Sequence, residues 1–155
     1  MMITHVVKRT DTSDPGFQQL VHKLDHELWN ELLEDQATYD PLNKVPDIKT
    51  AVLVYVNNEA AACGCFKEYA TGTIEVKRMF VQKEYRGKGL SKIVLQELEQ
   101  WAKELGYHSA LLETSIHFDV AINLYKSNGY VQVKNYPPYE GFEESICLGK
   151  RLTIE

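Results

Sequence analysis

The sequence predicts a mixed α/β fold: a single domain, residues 1–155, built around one central sheet with flanking helices. Three observations carry this. Segments with two-residue apolar alternation and segments with apolar residues three or four apart follow one another in the order β-α-β-β-β-α-β-α-β-β. Turn-forming residues stand between most of them. The composition, 44% hydrophobic and 25% charged, is that of a chain that buries a core.

Taken in order, Ile3 to Arg9 reads as the first strand. Asp14 can cap a helix whose first turn accepts Pro15, and Phe17, Leu20, Leu24, Leu28 and Leu32 recur at helical spacing to about Asp35. Gln36 to Lys49, with Pro41 and Pro46, breaks that pattern and reads as a loop or a short irregular helix. Ala51 to Val56 and Ala60 to Tyr69 form a hairpin about Asn57-Asn58-Glu59, and Ala70-Thr71-Gly72 turns the chain into a strand from Thr73 to Val81. A glycine-bearing turn feeds a helix from Leu90 to Leu105. Its buried stripe reads as Leu90, Val94, Leu98, Trp101, Ala102 and Leu105, with Gly106 closing it. Ser109 to Thr114 is a strand, and Phe118 to Ser127 is a helix closed by Asn128-Gly129. Tyr130 to Val133 and Glu144 to Leu148 are strands joined across Pro137-Pro138.

Several function classes fall away on composition. No apolar run approaches the ~20 residues that span a bilayer, so no membrane partner is expected. The opening Met1 to Lys8 alternates as a strand does rather than as a signal peptide does. Cys63 and Cys65, two apart in an apolar run, share a strand face as buried thiols, and with Cys147 they show no zinc-like spacing. These features suit a cytoplasmic protein. His22 and His26 lie four apart on the first helix but lack a third ligand nearby, so no metal is expected. A net charge of −5 argues against a nucleic-acid partner. The charge is nevertheless uneven. Asp25, Glu27, Glu31, Glu34, Asp35 and Asp40 fall between Leu24 and Asn43 with no Lys or Arg, a patch that could attract a cationic amine.

The opposite patch carries the chemistry. Between Val76 and Lys92 a strand runs into the turn Arg86-Gly87-Lys88-Gly89 and opens an amphipathic helix. Amides at such a helix start lack intrahelical acceptors, and the helix dipole adds positive charge. Gly87 and Gly89 let a ligand approach the backbone. With Arg86, Lys88 and Lys92 alongside, the turn can cradle a pyrophosphate. It is no P-loop, because Gly87-Lys88-Gly89 lacks Ser or Thr after the lysine, and no dinucleotide fingerprint, because a third glycine is missing. An ordinary tight turn with surface lysines is the remaining alternative.

Arg86-Gly87-Lys88-Gly89-Leu90-Ser91 resembles the (Gln/Arg)-x-x-Gly-x-(Gly/Ala) acyl-CoA signature of the GNAT superfamily of N-acetyltransferases, with Ser91 at the position of the final small residue. Glu75 to Val81 resembles the strand before that signature. Ala121-Ile122-Asn123-Leu124-Tyr125 through Gly129-Tyr130 resembles the later Ala-x-x-Leu-Tyr block, although Phe118 stands where many members carry a cofactor-binding Asn. The resemblance covers most of the chain.

It implies a GNAT-type mixed sheet in which two parallel strands, Thr73 to Val81 and Ser109 to Thr114, splay apart. Acetyl-CoA would lie along the freed main chain of Met79, Phe80 and Val81. Arg86, Gly87, Lys88, Gly89, Leu90, Ser91 and Lys92 would hold its pyrophosphate. The implied reaction is acetyl transfer to an amine of a small molecule, amino acid or peptide, and a homodimer is among the implied assemblies. Glu75 matches the family's base, and a regular strand would put Glu75, Lys77, Met79 and Val81 on one face. Tyr125 matches the thiolate-side acid. An amide of Phe80 or Val81 would meet the oxyanion. An acyl-CoA-sensing domain without catalysis, and transfer to a hydroxyl, are the alternatives. Tyr39, Tyr136, Tyr139 and Phe142 are expected either to shape an acceptor pocket or to pin loops, Trp29 to pack at an interface between elements or to join that pocket, and Trp101 to lie in the core.

Overall fold

A computed structural model describes residues 4–32 and 47–152. Among these residues the elements are β1 (His5–Thr10), α1 (Pro15–Leu32), β2 (Ala51–Val56), β3 (Glu59–Ala70), β4 (Thr73–Val81), a 3-10 turn (Lys83–Tyr85), α2 (Leu90–Glu104), β5 (Ser109–Ser115), α3 (Asp119–Ser127), β6 (Val131–Val133) and β7 (Ser145–Arg151). The expected loop Gln36 to Lys49, with Tyr39 and the acids from Glu34 to Asp40, lies outside the described residues up to Pro46. So do the side chains of Trp29 and Glu31.

The seven strands form one sheet in the order β1-β2-β3-β4-β5-β7-β6. β4 and β5 run parallel, and their register stops at Glu75 opposite Leu111, although β4 continues to Val81 and β5 to Ser115. That is the register of a splayed pair. β5 is held on its other side by β7, antiparallel along its whole length.

Local chemistry explains the element ends. The Asp14 carboxylate accepts from the Gly16 amide at 2.9 Å, capping α1. Asn57 and Asn58 have φ of 52° and 65°, the conformation of a tight two-residue hairpin turn. α2 ends with Gly106 in the left-handed region, its amide bonded to the Lys103 carbonyl and the next amide, Tyr107, to Ala102. Leu105 is therefore the cap, not the last rung of the buried stripe, and it is 55% exposed. Leu95 is buried in that stripe, and Trp101 is only half-buried.

The described residues fall into two compact units, one drawn from Met1–Phe66 and Arg78–Leu98, the other from Lys67–Lys77 and Glu99–Glu155. In the first, Phe17 and Leu20 of α1 pack with Cys63, Cys65 and Phe80. Met79 points elsewhere: a Cβ added at Gly64 would meet its sulfur at 2.5 Å and α2's Val94 at 2.9 Å. The second unit is centred on buried aromatics and polar groups. There Glu99 accepts from Tyr130 Oη at 2.9 Å and from Lys150 Nζ at 2.8 Å. These paired contacts account for a carboxylate buried on α2.

Candidate active site

The glycine turn comes first. Gly87 and Gly89 both have φ of 80°, and a Cβ at either would meet nothing within 4 Å. These glycines are required by backbone conformation, and the space beside them is open. The first bond into α2 runs from the Ile93 amide to the Gly89 carbonyl at 3.3 Å, so the amides of Leu90, Ser91 and Lys92 have no intrahelical acceptor. The first turn of α2 carries no acid, and Lys88 and Lys92 are exposed. An anion placed here meets helix-start amides and the exposed Lys88 and Lys92.

The turn is held from behind by Gln82, which is buried. Its amide donates to Ala61 O at 2.8 Å, its side chain donates to Ala60 O at 2.6 Å, and its Oε1 accepts from Lys23 at 2.7 Å. Tyr85 Oη donates to Glu59 at 2.5 Å. Arg86 is turned back onto the protein, bonded to Glu27 and to the Val81 carbonyl. The charge of the acidic patch is correspondingly reduced: Asp25 pairs with Arg78 at 2.6 Å and Glu27 with Arg86 at 2.7 Å.

Arg78 breaks the strand. Its φ of 58° is left-handed, and the two-residue period that would set Glu75, Lys77, Met79 and Val81 on one face does not run through it. Its side chain is buried against Asp25, and its carbonyl accepts from the Cys63 thiol at 3.4 Å.

The second unit brings the expected catalytic residues into buried surroundings. Glu75 is 3% exposed; its carboxylate accepts from Tyr136 Oη at 2.7 Å and lies 3.6 Å from Lys77 Nζ. Lys77 in turn donates to Tyr139 Oη at 3.4 Å. Tyr69 packs edge-on against Tyr136 at 4.9 Å between ring centres, and Tyr136 against Tyr139 at 5.5 Å. Tyr136 and Tyr139 are thus tied by hydrogen bonds to Glu75 and Lys77, contacts that pin the loop carrying them. His117 is exposed and bonded to Glu144.

Tyr125 lies on α3, 7% exposed, its ring edge-on to Tyr130 at 5.9 Å. Burial first, and then the charge of Glu113, push its hydroxyl well above the ordinary tyrosine value. Burial likewise raises the Cys147 thiol to about 11.

Glu113 is the group that the pattern of the sequence does not single out, although one signal was available: it is an acid within the apolar run Ala110-Leu111-Leu112 of β5. Ser145 Oγ donates to it at 2.7 Å. Burial raises its carboxyl above the usual range and Glu75 adds to the effect, against the opposing pull of Ser145 and Lys77. Because the folded value lies above the unfolded one, the folded state binds this proton more tightly. The associated stability is full below the ordinary carboxylate value and is lost as pH rises through the raised folded value. Glu113→Gln is therefore expected to raise Tm at about pH 7 and to lose that gain toward about pH 4. Thermal denaturation across pH checks this; an equal shift at both ends would mean that the fold does not raise the Glu113 carboxyl.

Among the described residues no group of three His, Cys, Asp or Glu side chains could hold a metal ion. No described helix is long and apolar enough to cross a membrane.

Comparison with known proteins places this geometry. The model of the Acetyltransferase (GNAT) family matches residues 15–130, a span that runs through both units. An uncharacterised N-acetyltransferase of Schizosaccharomyces pombe is 30% identical over 105 residues, 66% of this chain and 64% of its own length. The chain thus spans just under two thirds of that relative. The IAA acetyltransferase of Azospirillum brasilense is 31% identical over 142 residues, 86% of this chain and 89% of its own. A solved structure of a candidate acyl-CoA N-acyltransferase from Klebsiella pneumoniae matches with a TM-score of 0.80 at 28% identity, covering 97% of this chain and 99% of its own. With the parallel strand pair, the open glycine turn and a family match over most of its length, the chain belongs to the GNAT acetyltransferase family.

Proposed function

We propose that this protein transfers an acetyl group from acetyl-CoA to a primary amine of a small molecule, amino acid or peptide. The observation that supports this most is the turn at 86–91, where two left-handed glycines face open space ahead of three helix-start amides without intrahelical acceptors. In this reading Gly87, Lys88, Gly89, Leu90, Ser91 and Lys92 take the pyrophosphate. The main chain of Met79, Phe80 and Val81 takes the pantetheine amides.

The amine nitrogen forms its bond to the acetyl carbon while the carbon–sulfur bond breaks. The amine proton passes to a carboxylate, and the departing thiolate takes a hydrogen bond and then a proton. Glu75 is the proposed base. A lysine-like amine, with pKa ~10.4, is neutral in only about one molecule in a few thousand at pH 7, so a proton acceptor matters. Tyr125 is the proposed donor to sulfur, and an amide of Phe80 or Val81 the donor to the oxyanion. With Asp25 and Glu27 engaged by arginines, the acceptor need not be cationic.

Calorimetric titration with acetyl-CoA, followed by free-thiol release across a panel of amines and alcohols, tests the reading. Amine-dependent thiol release is the expected result. Release with alcohols alone would make it an O-acetyltransferase, and binding without release would make it an acyl-CoA-sensing domain. Absence of binding would overturn the cradle.

A further inference from the structure

We propose that Arg86 is a positioning residue, tying α1 to the end of β4, and not a ligand of the acyl-CoA phosphates; this rests on the reading of the turn as the acyl-CoA site. The guanidinium is engaged on three sides. Its Nη2 lies 2.9 and 2.7 Å from the two carboxylate oxygens of Glu27. Its Nε donates to the Val81 carbonyl at 2.9 Å. Its central carbon sits 5.5 Å from the centre of the Phe80 ring.

A phosphate drawn to this cation would compete with Glu27, a charge-assisted partner supplied by the protein itself that holds Nη2. Swinging Arg86 outward would also release Val81 O and uncover Phe80. These are two of the three residues whose main chain is to hold the pantetheine. The phosphates do not need it: Lys88 and Lys92 are exposed beside the turn, and three helix-start amides lack intrahelical acceptors. Arg86 therefore works through Val81 and Phe80, keeping their main chain in place.

A second pair does the same from inside the strand. Arg78 donates from Nη1 to Asp25 at 2.6 Å, two residues before Glu27 on α1. Residues two apart on a helix do not share a face. The two arginines thus fix the rotation of α1 as well as its distance from β4.

The test compares acetyl-CoA with its nucleotide half alone, 3′-phosphoadenosine 5′-diphosphate, by calorimetry on wild type, Arg86→Lys, Arg86→Gln, Glu27→Gln and the Glu27→Gln/Arg86→Gln double variant. Each single change is expected to weaken acetyl-CoA binding by about five- to tenfold. The double variant should be no weaker than either glutamine single, since both remove one link. Affinity for the nucleotide half should not change. Lysine should fail to rescue, because a point charge cannot hold Glu27 and Val81 O together.

Tighter binding in Glu27→Gln, full rescue by lysine, or an equal loss for the nucleotide half would each assign Arg86 to the phosphates and overturn the inference alone. No acetyl-CoA binding by the wild type would overturn the functional reading, and the inference with it.

Discussion

Replacing Tyr125 with phenylalanine is expected to lower kcat by about 10²-fold while leaving acetyl-CoA affinity nearly unchanged. The exchange keeps the ring and its edge-on contact with Tyr130 at 5.9 Å, so packing on α3 is preserved and only the O–H is lost. A free tyrosine at ~10 against a thiol at ~8.5 already makes full proton transfer uphill by about 2 kcal/mol. Burial and Glu113 raise the Tyr125 hydroxyl further. It therefore keeps its proton throughout the working range and acts by donating a hydrogen bond to charge developing on sulfur. Two measurements check this. Calorimetry should give a near wild-type acetyl-CoA Kd, and steady-state kinetics should show kcat and kcat/KM falling together. Unchanged turnover would remove Tyr125 from the chemistry.

How far the sequence reveals such a site depends on the range of the interactions that build it. The β2–β3 hairpin is legible because Asn57 and Asn58 can adopt the left-handed turn by themselves. The helix at Leu90 is legible because its period and its closing glycine lie within a few turns of one another. Leu105 marks the limit of periodicity. It continues the stripe in sequence, yet the helix stops at Glu104 and leaves it in water. Arg78 marks another limit: its left-handed backbone has no signal in the strand's alternation, and its side-chain partner Asp25 lies 53 residues away. Glu75 is legible by position, but its partner Tyr136 is 61 residues distant. The engagement of Arg86 by Glu27, 59 residues away, has no local signal either. Spacing can nominate a charged residue at the turn; only the tertiary fold decides what that charge meets.

Replacing Glu75 with glutamine is expected to reduce kcat/KM by about 10²- to 10⁴-fold, with a loss that shrinks as pH rises. The pH dependence follows from the acceptor: each unit upward leaves about ten times more amine neutral without help from a base. The complication is Lys77, buried 3.6 Å from the same carboxylate. Glutamine leaves that ammonium without one of its counter-charges, and breaking a buried pair on one side costs about 3–5 kcal/mol of stability. A lower Tm in the variant would therefore accompany either role. Adding Lys77→Met separates them, because removing both charges relieves the stranded cation. If Glu75 serves only to neutralise Lys77, the double variant recovers both Tm and turnover. If Glu75 takes the amine proton, Tm recovers and turnover does not. The second outcome is the expected one, because removing Lys77 restores the charge balance without restoring a carboxylate at position 75. Turnover that returned with stability would assign the base to Glu113 or to a water it holds.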